Sequence, residues 1–273
     1  MTFVDESRPT AAAGDQPAQP TRTIVTDLWY PAAGDAEGAE RPEAPLADGP
    51  FPLFVFSHGQ SAQPQQYAPS FHAWARAGYV VAAPRHPLTV GGTPMPTISG
   101  DIFEQPADVS FVITQLGEEE DLVDVDHVAA GGHSSGAVTA LAAGANTCCD
   151  DDRIDALVLE AVLPVDFEDG RYFDEDLPDV PVLFLHGDAD PSIPIADAHT
   201  LFEDADPPKF FVTIKGGGHS DPYRAGPPDP TMVIEVVTDF LDRYVKERDD
   251  ALGEMRETVR RTPIGGLEAV PED

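Results

Sequence analysis

The sequence predicts an α/β fold with a mostly parallel central sheet and helices on both of its faces. Short, almost wholly apolar runs alternate along the chain with segments whose apolar residues recur at helical spacing. This alternation is typical of parallel strands that are buried on both sides. Polar residues follow several of the runs directly, at 57–60, 134, 190 and 218–219. Because the carboxyl ends of parallel strands lie at one edge of a sheet, we expect these residues to meet in one site.

Seven strands are predicted from runs rich in β-branched and aromatic residues that proline or glycine bounds. Residues 23–30 alternate like a half-buried strand and stop at Pro31, whereas residues 52–56 are apolar throughout. Residues 79–83 form the next buried run and end before Pro84. The other four predicted strands lie at 128–130, 155–162, 180–186 and 209–214.

Helices are predicted between and after these strands. Phe71 and Trp74 lie at helical spacing within residues 67–77, and Gly78 ends that helix. A second helix over 101–117 tolerates Pro106 because this proline falls in its first turns. Further helices are predicted at 137–143, 195–203 and 231–248, the last with Val233, Val236, Val237, Phe240, Leu241 and Tyr244 on one side.

The domain organisation follows from where these elements lie. Residues 1–21 are rich in Ala, Pro, Gln and Thr and offer little to bury, so we expect a loosely ordered lead-in. Residues 22–248 contain all the predicted elements and no internal repeat or boundary, and we interpret them as one domain. Residues 249–273 are predicted to form a polar, half-ordered C-terminal tail.

The charge of the chain excludes two classes of partner. With 49 acidic and 16 basic residues among 273, the formal net charge is -33. Nucleic acids and anionic membranes repel such a surface, so we expect neither as a partner. Two explanations for the charge stay open. One is adaptation to high salt, where screening weakens the self-repulsion, and the other is a generally acidic proteome.

The sequence indicates no membrane span and no signal peptide. It contains no run of 18 apolar residues, and its first residues lack a basic region followed by an apolar one. A cytoplasmic protein and a secreted protein whose signal has been removed both fit this pattern. The sequence leaves the oligomeric state open as well.

Cysteine and metal-ligand patterns give no sign of a bound group. Cys148 and Cys149 are adjacent and are the two cysteines of the chain. A disulfide between neighbours is strained, so we expect two free thiols, with a redox role left open. The spacing fits no zinc site, and the carboxylates and histidines are not ordered like known ligand sets. We therefore predict no metal and no cofactor.

The motif G-x-S-x-G at residues 132–136 is the main candidate for chemistry. An apolar run at 128–130 precedes it and a helical segment follows, which gives the order strand, sharp turn, helix. Such a turn holds its central residue, Ser134, in a strained conformation and points the hydroxyl out of the sheet. The helix N-terminus behind it favours developing negative charge. The sequence thus predicts Ser134 as a nucleophile.

A serine nucleophile needs a base and a group that orients the base. His219 follows the last predicted strand after three glycines, and Asp188 and Asp190 follow the strand at 180–186. For the orienting acid, Asp188, Asp190 and Glu160 all stay open on this pattern alone. The flanking histidines, His58, His133 and His186, are predicted to be structural, whereas a place for His86 in the cleft stays open.

With these residues the chain resembles the α/β-hydrolases, and within them the bacterial lipase, cutinase-like and platelet-activating-factor-acetylhydrolase-like serine esterases. The resemblance covers roughly residues 22–248 and rests on 22–31, 57–59, 132–136, 185–190 and 218–219. It implies that Ser134 is the nucleophile, His219 the general base and acid, and Asp190 the orienting carboxylate. The backbone N–H groups of Gln60 and Ser135 would form the oxyanion hole.

The resemblance also implies an open site without a large lid, because lids of this fold are often inserted where residues 162–180 form a short connection here. Polyester hydrolases that resemble the chain usually carry aromatic residues where it has Gln60 and Leu163-Pro164. We therefore expect a serine carboxylic-ester hydrolase that uses an acyl-enzyme on short-chain or bulky esters, with polyesters left open. The alternatives are a catalytically silent binding protein of this fold and an amidase or acyltransferase with the same three residues.

Overall fold

The computed structural model of the protein describes residues 1–34, 41–93, 96–119, 121–167, 170–224, 226 and 229–270. The strands in these ranges are β1 (Thr2–Asp5), β2 (Arg22–Trp29), β3 (Phe51–Ser57), β4 (Val80–Arg85), β5 (Val123–His133), β6 (Ile154–Glu160), β7 (Val182–Gly187), β8 (Lys209–Ile214) and β9 (Gly265–Val270). The α-helices are α1 (Ala68–Arg76), α2 (Gln105–Leu116), α3 (Ser135–Ala145), α4 (Ile195–Asp204), α5 (Thr231–Tyr244) and α6 (Ala251–Arg261).

The described strands form one nine-stranded sheet in the order β1-β2-β4-β3-β5-β6-β7-β8-β9. The six strands from β4 to β8 in this order run parallel to one another, and β1, β2 and β9 pair antiparallel to their neighbours. Each of the seven predicted strands is present, and the predicted mostly parallel sheet is confirmed. The sheet is open, since β1 and β9 lie at its two edges.

Helices cover both faces of the sheet because the parallel strands are apolar on both sides. On β3, Leu53 and Val55 point into the core that α2, α3 and α4 cover, while Phe54 and Phe56 point into the core under α1, α5 and α6. The second core is the more aromatic, with Trp74 fully buried among these rings. This arrangement confirms the helices predicted on the two faces.

The carboxyl ends of the parallel strands form the edge at which polar residues were expected to meet. β3 ends at Ser57, β5 at His133, β6 at Glu160 and β7 at Gly187. The connection from β6 to β7 covers residues 161–181, and its described part contains no helix. The edge is therefore free of a large lid in the part of this connection that the structure describes.

The two ends of the chain are more ordered than the sequence predicts. The expected lead-in includes β1, which pairs with β2 from Thr2 opposite Val25 to Asp5 opposite Arg22. The expected polar tail at 249–273 contains α6 and β9, and residues 271–273 lie outside the described part. The expectation of a half-ordered tail is wrong, because a narrow apolar stripe on α6 (Ala251, Met255 and Val259) is buried under the sheet.

The cysteines are joined, contrary to the expectation of two free thiols. Cys148 and Cys149 form a disulfide in the turn that follows α3. In this turn the amides of Cys148 and Cys149 donate to the side chain and the backbone carbonyl of Asn146, respectively. The turn holds the two residues close to the end of the helix.

No helix in the described ranges is long and apolar enough to cross a membrane.

Candidate active site

Ser134 lies at the sharp turn between β5 and α3. Its backbone has φ 57° and ψ -122°, a left-handed conformation that a serine adopts only where its surroundings enforce it. The Ser134 amide donates to the carbonyl of Glu160 at the end of β6 (2.8 Å). A Cβ on Gly136 would lie 2.0 Å from the Ser57 carbonyl oxygen, and one on Gly132 would lie 2.4 Å from the Gly136 backbone. Neither position of the motif therefore has room for a side chain, and both require glycine.

The side chains of Ser134, His219 and Asp190 form a hydrogen-bonded line. The Ser134 hydroxyl is 3.0 Å from His219 Nε2, and His219 Nδ1 is 2.8 Å from Asp190 Oδ2. A carboxylate accepts only, so Nδ1 carries the proton and Nε2 is left to accept from the serine hydroxyl. This is the geometry that a general base next to a serine requires.

Asp190 divides its carboxylate between its own loop and the histidine. Oδ1 accepts the amides of Ser192 (2.7 Å) and Ile193 (3.0 Å), whereas Oδ2 faces His219. Burial raises the pKa of Asp190. The Ile193 amide, the His219 ring and the Ser192 amide together lower this pKa by more than burial raises it, so that it lies below the ordinary 3.8. The carboxyl group is therefore ionised at neutral pH, as an orienting acid must be.

The two alternative acids have other partners. Asp188 accepts the Gly216 amide (2.6 Å) and so joins the loops that follow β7 and β8. Glu160 is buried beside the turn, and burial raises the pKa of its carboxyl group well above the ordinary 4.5. Of the three acids considered, Asp190 is the one that contacts His219 in the described part of the chain.

The backbone near the expected oxyanion hole lies close to Ser134. A Cβ on Gly59 would lie 3.4 Å from the Ser134 Cβ and 3.0 Å from His133 Nδ1. Gln60 follows this glycine directly, and Ser135 is the first residue of α3, where amides have no partner within the helix. The role of the two amides stays a prediction.

The histidines around the site are buried and structural in character. His58 donates from Nδ1 to the Gly59 carbonyl (2.9 Å), and burial lowers the pKa of His58 to about 3. His186 donates from Nε2 to the Ile193 carbonyl (3.0 Å). His86, for which a place in the cleft was open, is fully buried between Ser57 Oγ (3.1 Å) and Asp108 (3.0 Å).

Two groups of residues behind the site were not found from the sequence. The first is a neutral hydrogen-bonded chain of Tyr67 and His133, in which the Tyr67 hydroxyl is 2.9 Å from His133 Nδ1. The second is a charged cluster of Arg22, Asp101, Asp108 and His86. Arg22 binds both carboxylates with 2.6–2.9 Å contacts and is fully buried. The spacing of seven between Asp101 and Asp108, which places them on one side of a helical segment, was a signal that could have indicated this cluster.

The sheet order, the helices on both faces and the turn at Ser134 define an α/β-hydrolase. Among solved structures, 784 chains match this chain. One is a ferulic acid esterase from Streptomyces cinnamoneus, which is 20% identical, with a TM-score of 0.68 over 91% of this chain and 89% of that chain. At this identity the likeness bears on the fold alone.

The family follows from the sequence match. The family model described as chlorophyllase matches residues 42–188, more than half of the chain, and the chain belongs to this family. No curated protein matches it. Membership of the family supports a carboxylic-ester hydrolase. The match includes β3 to β7 and Ser134, while Asp190 and His219 lie beyond it.

Proposed function

We propose that the protein is a serine carboxylic-ester hydrolase that works through an acyl-enzyme. The observation that carries the proposal is the hydrogen-bonded line from Ser134 through His219 to Asp190, with contacts of 3.0 and 2.8 Å. A hydroxyl is a poor nucleophile until a base takes its proton, and the line supplies both the base and the acid that orients it.

In the first half of the reaction, Ser134 Oγ attacks the ester carbonyl carbon and its proton moves to His219 Nε2. The carbonyl π electrons move to oxygen, and the amides of Gln60 and Ser135 stabilise that oxyanion. The oxyanion then reforms the carbonyl, the bond to the alcohol oxygen breaks, and His219 gives its proton to the departing alcohol. Asp190 stays ionised throughout and stabilises the imidazolium.

In the second half, a water molecule takes the place of the alcohol. His219 removes a proton from the water, whose oxygen attacks the acyl carbon and forms a second oxyanion. Collapse of this intermediate breaks the bond to Ser134 Oγ, which takes the proton back from His219. The products are the carboxylic acid and the original enzyme.

The substrate class is proposed as short-chain or bulky esters, with polyesters included in the test. The described part of the connection at 161–181 forms no helical lid, which favours access for bulky groups. One structural neighbour is a ferulic acid esterase, so a ferulate ester belongs among the substrates tried.

The deciding experiment compares Ser134→Ala with the parent on p-nitrophenyl acetate, p-nitrophenyl butyrate, a ferulate ester and a polyester film. We expect a fall in kcat of about 10⁶-fold, since the nucleophile of a serine hydrolase has an effect of that order. A fluorophosphonate probe should label the parent and not the variant. Thr200→Ala, which removes a hydroxyl that bonds within α4, serves as the matched control. Turnover unchanged in Ser134→Ala would refute the proposal.

Two further arms address the alternatives that the sequence left open. A matched ester and amide of one acid separate an esterase from an amidase. Repeating the assay and the melting curve over a range of salt concentrations tests the high-salt explanation of the charge of -33. Insensitivity of both to salt would count against that explanation.

A further inference from the structure

Behind Ser134 and His219 lies a short chain of neutral hydrogen-bonding groups that the reaction itself does not use. Tyr67 and His133 are both buried, with exposures of 0% and 1%. The Tyr67 hydroxyl is 2.9 Å from His133 Nδ1, and His133 Nε2 is 2.7 Å from the backbone carbonyl of His219. Polar groups buried at such depth specify geometry strongly when all of them are satisfied.

The contacts fix where each proton of this chain lies. The Gly59 amide (3.3 Å) and Arg224 Nη2 (3.2 Å) both donate to the Tyr67 oxygen. The hydroxyl proton is then free to go to His133 Nδ1, which must accept. His133 therefore carries its one ring proton on Nε2 and donates it to the His219 carbonyl. One arrangement of protons satisfies every contact, and it requires a neutral His133.

The hydrogen bonds of Tyr67 and His133 reach backbone groups that lie in, or directly before, residues of the proposed reaction. Gly59 precedes Gln60, His133 precedes Ser134, and the accepting carbonyl belongs to His219 itself. The loop that leads to His219 contains three consecutive glycines, 216–218, with Gly216 at φ 72°. Such a segment has many accessible conformations of its own, so the position of His219 depends on what anchors it.

We propose that Tyr67 and His133 are positioning residues that fix the distance between the Ser134 hydroxyl and the His219 ring. They do so by tying the loop of Gly59, the turn of Ser134 and the loop of His219 to one another. The proposal rests on the proposed function. Neither residue contacts the reacting atoms, so they act through the groups that they hold.

Burial keeps this arrangement in place near neutral pH. Desolvation of the ring lowers the pKa of His133 to about 3, and the nearby His219 and Arg224 add to the effect, while the His219 carbonyl and Asp190 oppose it. The ring is thus neutral, as the proton arrangement requires.

The test uses the full chain with His133 replaced in two ways. His133→Phe keeps an aromatic ring beside His219 but can neither donate nor accept. His133→Gln keeps one neutral donor and one acceptor. We expect His133→Phe to lower kcat about 100-fold at little change in KM, as a small misplacement of reacting groups does. We expect His133→Gln to recover most of that loss. A residue needed only for packing would show no such recovery.

Tyr67→Phe gives a second measurement if His133→Phe folds poorly. It removes one oxygen and leaves the Gly59 amide, Arg224 Nη2 and His133 Nδ1 without that partner. We expect a loss in kcat similar to that of His133→Phe, and a double variant no worse than either single one, because both break one chain. Tyr79→Phe is the matched control. Tyr79 directly precedes β4, at the end of the strands opposite to the site, and its buried hydroxyl donates to Asp242 (2.8 Å). We expect its kcat to equal that of the parent.

The outcomes separate this proposal from the proposed function. If Ser134→Ala keeps full turnover, the proposed function fails. If Ser134→Ala is inactive but His133→Phe and Tyr67→Phe keep the kcat of the parent, only the positioning role fails. Equal losses in His133→Gln and His133→Phe would also overturn it, because the hydrogen bonds would then make no difference.

Discussion

Two buried polar groups of residues support the same edge of the sheet, one neutral and one charged. The neutral chain of Tyr67 and His133 ends on the carbonyl of His219. The charged cluster, centred on Arg22, reaches Ser57 through Asp108 and His86. Ser57 ends β3 and is two residues from Gly59, to which Tyr67 also binds. The two groups thus approach one loop from different sides.

Mutation of the neutral chain and mutation of the charged cluster should affect different properties of the protein. Hydrogen bonds between neutral groups fix distances, and removing one leaves modest unsatisfied polarity. Removing one partner of a buried ion cluster leaves a charge without compensation in the core, which destabilises the fold strongly. We therefore expect damage to the neutral chain to appear in turnover and damage to the charged cluster in stability.

After that of Ser134→Ala, the largest expected effect on turnover concerns the partner of the His219 ring. Asp190→Asn would place an NH₂ group or a poorer acceptor against His219 Nδ1 and so favour the wrong tautomer. We expect kcat to fall about 10⁴-fold with little change in the fold. Asp188→Asn is the control, because Asp188 accepts the Gly216 amide and an asparagine oxygen can do the same. Steady-state kinetics of both variants decide, and equal losses would contradict the assignment of Asp190.

The next prediction concerns the charged cluster. Arg22→Met should lower the free energy of unfolding by about 3–5 kcal/mol, because Asp101 loses its buried partner and Asp108 keeps only Arg8 (2.9 Å) and His86. Arg85→Met, which removes a partly exposed pair with Asp27, should change it by about 0–1 kcal/mol. Urea unfolding measures both. Turnover of the folded fraction at low temperature should stay near that of the parent, and a selective loss of kcat in Arg22→Met would break the comparison.

The two groups should also respond to acid in different ranges. Burial lowers the pKa of His58 and of His133 to about 3 from the ordinary 6.5. The unfolded chain therefore takes up protons there that the folded chain does not, so stability is lost as pH falls from 6.5 toward 3. In the charged cluster, burial raises the pKa of Asp108, but hydrogen bonds from His86 and Arg22 lower it by more, so that it lies below 3.8. The stability that Asp108 contributes is present above 3.8 and is lost only at lower pH.

Melting temperatures between pH 7 and pH 4 test this difference. Relative to the parent, His133→Gln should become more stable as pH falls over that range, because it lacks one of the rings that the unfolded chain protonates there. An identical slope for the two proteins would contradict the assignment of a neutral, buried His133.

The smallest expected effect on turnover is that of Glu160→Gln. Burial raises the pKa of the Glu160 carboxyl group well above 4.5 and so favours its neutral form, whose shape glutamine reproduces. For a raised pKa, stability is lost as pH rises above 4.5, where the unfolded chain ionises. The variant should keep the kcat of the parent and gain stability over it as pH increases. A large fall in kcat would instead favour Glu160 as the orienting acid.

The fold and the three residues proposed for the reaction were accessible from the sequence because their signals are local. Apolar runs mark the strands, and Ser134, Asp190 and His219 each follow one of them. The choice between Asp188 and Asp190 was less secure, since both lie in one loop and only the folded chain shows which carboxylate faces the histidine.

What the sequence did not indicate depends on contacts between distant parts of the chain. Tyr67 meets His133 across 66 positions, and Arg22 meets Asp108 across 86. The strand β9 contains two glycines and a glutamate and becomes a strand because β8 pairs with it. None of these partners is adjacent in the sequence, and apart from the spacing of seven between Asp101 and Asp108 no local pattern marks them.

The antiparallel strands at the two sides of the sheet have a consequence for association between molecules. β1 has four residues and pairs with the eight-residue β2, while β9 has six residues and pairs with the equally long β8. A short, charged or glycine-containing outermost strand is a poor template for the lateral addition of a strand from another copy. At high concentration the chain should therefore resist growth into extended β-aggregates, and the strong mutual repulsion of its acidic surface acts in the same direction.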